Sequence, residues 1–162
     1  MERPRNLYEL CEQTCESMEL APLNYYQGYW AAPVRAVQGH TGVEHQEACG
    51  TAYCRAGWMI ANLEGKALPT EGDGVDTVHY GTRAKKMLYQ AGIPDIDIEH
   101  LFAGEALMRE KDIPRAKWGT PEYVAAGVEG LRNFMAKHEA KLRAAKITED
   151  GSVRVEPRSD AA

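Results

Sequence analysis

Residues 49–63 read Cys49-Gly-Thr-Ala-Tyr-Cys-Arg-Ala-Gly-Trp58, then Met59-Ile60-Ala61-Asn62-Leu63. On a helix turning about 100° per residue, Cys49, Ala52, Tyr53, Ala56, Met59, Ile60 and Leu63 form one apolar stripe. Gly50, Cys54, Gly57 and Ala61 form a second stripe of small side chains beside it. Thr51, Arg55 and Asn62 leave only a narrow polar edge, with Trp58 next to it. A helix apolar over most of its circumference is a buried one. The run therefore predicts the central helix of the fold, opening between residues 43 and 49. Thr41-Gly-Val-Glu44 offers a capping box for an early start, and Gly65 a C-terminal stop. Two glycines inside a helix cost roughly 1 kcal/mol each relative to alanine, which predicts another backbone lying against the small stripe. This reading concerns architecture and specifies no reaction.

On the N-terminal side, Leu7, Leu10, Cys11, Thr14 and Met18 keep helical spacing over residues 5–19, and Pro22 ends that helix. Residues 21–47 are irregular, with 33–37 a short strand candidate. On the C-terminal side, 66–79 is a loop and Thr82 to Gln90 a short helix closed by Gly92. Ile96, Ile98, Leu101, Phe102 and Leu107 suggest one or two further short helices. Thr120-Pro121-Glu122 supplies a hydroxyl cap, a first-position proline and a first-turn acid, opening a helix to about residue 145. Ile147 to Val155 reads as a hairpin around Asp150-Gly151. An isolated hairpin is marginal, so pairing with 33–37 is expected. The fold class is mainly α with a small β element (α+β). One domain spans 1–155, built around one buried central helix, and 156–162 is a flexible polar tail.

The 162 residues suffice for one domain with a real core, and 44% are hydrophobic. With 24 acidic and 19 basic residues the net charge is -5, which argues against general nucleic-acid binding. No apolar run approaches membrane-spanning length and the start lacks a signal-peptide core, so a cytoplasmic site without membrane contact is expected. Cys11/Cys15 and Cys49/Cys54 lack the two-residue spacing of redox motifs and zinc knuckles, which favours reduced structural thiols.

The Cys-Gly-Thr-x-x-Cys-x-Ala-Gly-Trp pattern at 49–58 resembles a widespread group of short, mostly uncharacterised proteins of phage and bacterial genomes. Further counterparts are Tyr25 to Trp30, Ala91-Gly-Ile93, Leu101-Phe102 and Thr120-Pro121, so the resemblance covers roughly residues 20 to 140. It implies a phage or prophage setting and a small soluble domain, and no activity. The segment from Arg35 to Gln46 and the terminal hairpin fall outside it.

Three constellations bear on chemistry. His40, His45, Cys49 and Cys54 are zinc-type ligands, but their spacing fits no finger, and Cys49 and Cys54 would point ~140° apart on one helix. Cys49 with His45 as its base is a minor reading as a nucleophile. The acidic loop positions Asp73, Asp76, Asp95, Asp97, Glu99 and His100 lack a calcium-loop pattern and read as solvated. Tyr25, Tyr26, Tyr29 and Trp30 set four aromatics in six residues, followed by Arg35 and His40. Aromatic faces stack on bases and arginine grips phosphate, so these six are the candidate ligand-binding residues. The competing reading is an aromatic cover over the core. The expected function is a non-enzymatic binder without metal or cofactor, holding a nucleotide-like small molecule of the host in a counter-defence role. The rivals are an inhibitor of a host protein and a Cys/His- or metal-dependent enzyme. A homo-oligomer is compatible with either.

Overall fold

The computed structural model describes residues 2–44, 50–102 and 117–156. Helix α1 (Leu7–Leu20) opens where the Asn6 side chain accepts the Glu9 N–H at 2.9 Å. Its apolar face, with Leu7, Leu10, Cys11 and Met18, is fully buried. A short 3-10 turn at Pro22–Asn24 leads to strand β1 (Ala31–Pro33) and helix α2 (Val34–Thr41). Strand β2 (Thr51–Tyr53) pairs antiparallel with β1, Ala32 opposite Ala52. Helix α3 (Arg55–Glu64) follows directly and packs against α1, α4 (Val78–Gln90) and α5 (Asp95–Phe102). Helix α6 (Pro121–Lys137) lies against α1 and α5. The chain closes with α7 (Glu139–Ala144) and the hairpin β3 (Ala145–Ile147) and β4 (Val153–Val155). The described chain is thus mainly helical with two small antiparallel strand pairs, the expected class.

Four expectations need correction. The central helix starts at Arg55, not between 43 and 49. Gly50 has φ +81°, a left-handed geometry that no helix interior contains, and Thr51–Tyr53 are extended. Cys54 is the N-cap, its Sγ accepting the Gly57 N–H at 3.5 Å. Cys49 and His45 lie outside the described residues, as does Leu107.

Residues 34–37 are helical rather than extended, and α2 ends at Gly42 with φ +72°, so Thr41 closes a helix instead of capping the next. The terminal hairpin does not meet residues 33–37. It is tied to the N-terminus, where the Ile147 N–H donates to the Arg5 carbonyl at 2.9 Å and Arg3 Nη2 donates to the Thr148 carbonyl at 2.8 Å. The long helix from Thr120 breaks at His138, which has φ -118° and ψ 22°, before α7 continues.

The backbone expected against the small stripe is present at Gly57. A Cβ there would stand 1.9 Å from the Trp30 carbonyl oxygen. Only hydrogen at this position lets the chain before β1 lie directly on α3. The same need recurs on α6, where a Cβ at Gly127 would meet the Tyr25 ring at 2.5 Å. These contacts seat the aromatic segment between α3 and α6. No helix among the described residues is long and apolar enough to cross a membrane.

Candidate functional site

The six residues singled out from sequence do not share one surface. Tyr25 and Tyr26 are 0% exposed. Tyr25 donates to Gln27 Oε1 at 3.0 Å and packs 5.6 Å from the Tyr123 ring, while Tyr26 stacks on Tyr123 at 6.1 Å. Their faces are occupied by protein, so neither meets a base in this conformation. Tyr29 is half-buried and lies with the exposed His40 over the outer side of Tyr26. Trp30 turns the other way, onto Gly81 and below Lys85 of α4. Arg35 is exposed on α2.

The thiols are equally withdrawn. Cys11, Cys15 and Cys54 are free and buried. Burial pushes Cys15 and Cys54 up to about 11, and Cys11 further in the same direction. A thiol so shifted is a poor nucleophile at neutral pH. Among the described residues no three His, Cys, Asp or Glu side chains gather to hold a metal ion.

A different residue stands out. Arg55, the first residue of α3, is only 3% exposed. Its backbone N–H donates to Gln27 Oε1 at 3.2 Å, which fixes the helix start against the aromatic segment. Its Nε donates to the Gly127 carbonyl at 3.0 Å and its Nη1 to the Leu101 carbonyl at 2.8 Å. Both acceptors are neutral. Among the described residues no carboxylate lies within ion-pair distance of the guanidinium, and its Nη2 carries no hydrogen bond. Nη2 lies against Gly130, where a Cβ would stand 2.4 Å away. Glycine at 130 is what admits the guanidinium to this place.

Arg55 forms part of the wall of a cavity of about 210 Å³ between α3, α5 and α6. Leu101, Ala126 and Phe134 make its apolar walls, and His100, Asn133 and Lys137 also line it. On the same lining sits Asp97, whose Oδ2 accepts from His138 Nε2 at 2.8 Å and Lys137 Nζ at 3.1 Å. Lys137, and then His138, hold the Asp97 carboxyl below the usual carboxylate range, against the opposing effect of its partial burial. His138 is placed there by the break between α6 and α7, with its ring 5.0 Å from Phe134.

In the sequence, Arg55 stands only as part of a polar edge. The available signal was that Arg55 is the one charged residue between Cys49 and Leu63. Its partners are Gln27, Leu101 and Gly127, with Gly130 against Nη2, and no spacing rule joins those positions to residue 55. No protein-family model, curated protein or solved structure matches the chain.

Proposed function

We propose that this protein is a non-enzymatic binder of a small anionic molecule, held by Arg55 in the cavity between α3, α5 and α6. The observation that carries the reading is a buried guanidinium that lines a cavity and has, among the described residues, no counter-charge and one nitrogen without a hydrogen bond. An arginine keeps its charge at ordinary pH. Burying a charge is costly unless it is paired and fully hydrogen-bonded. An oxyanion on Nη2 supplies both the missing charge and the missing acceptor, in a charge-assisted hydrogen bond. The buried, high-pKa thiols and the separation of the six aromatic-segment residues favour this cavity over a cysteine site or an aromatic stacking platform. The resemblance at residues 49–58 adds a phage setting, in which capture of an anionic host molecule, a nucleotide-like signal among them, serves counter-defence.

A ligand bound only by the native state raises its stability by about 2.7 kcal/mol at a hundred times its Kd. Thermal melts with phosphate, sulfate, acetate and mononucleotides should show a concentration-dependent rise for at least one of them. Gly130→Ala should abolish that rise while leaving the protein folded. The new methyl displaces Nη2, whereas alanine in a helix interior gains about 1 kcal/mol over glycine. Melts that no anion moves, in wild type and variant alike, would remove the reading.

A further inference from the structure

Two residues that line the cavity carry charges of opposite sign, each with an atom that makes no hydrogen bond among the described residues. On Arg55 that atom is Nη2. On Asp97 it is Oδ1, since both of the carboxylate's partners, Lys137 and His138, sit on Oδ2. The walls between them are apolar, from Leu101, Ala126 and Phe134. The volume of about 210 Å³ falls below the roughly 300–1,000 Å³ usual for drug-sized ligands.

Resting on the anion-binding reading, we propose that the ligand is a small zwitterion of the α-amino-acid class, with its carboxylate on Arg55 Nη2, its ammonium on Asp97 Oδ1 and an apolar side chain against Phe134. A simple dianion satisfies Arg55 but faces the Asp97 carboxylate across the same small space. An amine alone satisfies Asp97 and meets the guanidinium. A molecule carrying both charges on adjacent carbons gives Arg55 a counter-charge and places its ammonium on the Asp97 oxygen that Lys137 and His138 leave free. Lys137 and His138 keep Asp97 ionised and oriented, so its free oxygen stays an acceptor.

The test is calorimetric titration of the full chain with L-leucine, 4-methylpentanoate, isopentylamine, AMP and inorganic phosphate. L-Leucine should bind at least tenfold more tightly than 4-methylpentanoate, and isopentylamine should not bind. Asp97→Asn should bring L-leucine and 4-methylpentanoate to within threefold of each other, and Gly130→Ala should lose both. Tighter binding of 4-methylpentanoate, AMP or phosphate than of L-leucine, improved further by Asp97→Asn, would overturn the zwitterion and leave the anion-binding reading standing. Absence of binding by every probe would overturn both.

Discussion

Asp150 illustrates how much a single side chain does at a turn. Its carboxylate accepts from the Thr148 hydroxyl and from the Ser152 N–H, the latter at 3.0 Å, closing the loop between β3 and β4. These donors, Thr148 first, lower its pKa to about 2. The folded value lies below the usual unfolded value of about 3.9. Its stabilising contribution is therefore present above pH ~4 and is lost as pH falls from there toward 2. Asp150→Asn should lower the melting temperature slightly at neutral pH, and the difference from wild type should vanish near pH 2. A difference independent of pH between 2 and 7 would show that the carboxylate's charge is not what closes the turn. This residue was legible in the sequence, because Asp-Gly between two short apolar runs is a local turn signal. Arg55 was not legible as a site residue, because its significance lies in what is missing around it after folding.

Among the elements, those with local signals were readable and those set by packing were not. The spacing of Leu7, Leu10, Cys11, Thr14 and Met18 marks α1, Thr120-Pro121 marks the start of α6, and Gly65 ends α3 with φ +70°. The boundary between β2 and α3 was misread because Ala52, Tyr53 and Ala56 fit a helical stripe as well as a buried strand, and three strand residues are too few to show alternation. What decides the boundary is pairing with β1, a contact between residues some twenty apart. The glycine logic did survive at Gly57, where the Trp30 carbonyl occupies the space of a side chain. Gly57→Ala should destabilise despite alanine's better helix propensity, and Gly57→Leu should do so severely, since overpacking costs on the order of 1–3 kcal/mol or more. Chemical denaturation at equilibrium measures this. A Gly57→Ala variant as stable as wild type would mean that β1 and α3 are not held at this separation.

At the scale of the whole molecule, the aromatic segment and the cavity are two faces of one arrangement. Tyr25 against Gly127 and Arg55 against Gly130 use the same side of α6, one turn apart. Packing Tyr25 inward brings Gln27 to the backbone of Arg55 and sets the guanidinium beneath α6. The segment that reads as a stacking surface thus also fixes the start of α3 through Gln27. Under the proposed reading, Arg55 is where stability is given up for a site.

The most direct measurement is the stability of Arg55→Met against wild type, by chemical denaturation in buffer free of oxyanions and amino acids, and again with a ligand that shifts the wild-type melt. Without ligand, the variant loses the donors to the Gly127 and Leu101 carbonyls, a cost on the order of 1–3 kcal/mol, partly offset by removal of a buried charge that has no counter-charge among the described residues. With ligand, only wild type should gain. A loss of about 3–5 kcal/mol in the empty protein, the scale of breaking a buried charge pair, with no ligand-dependent gain in wild type, would contradict the account.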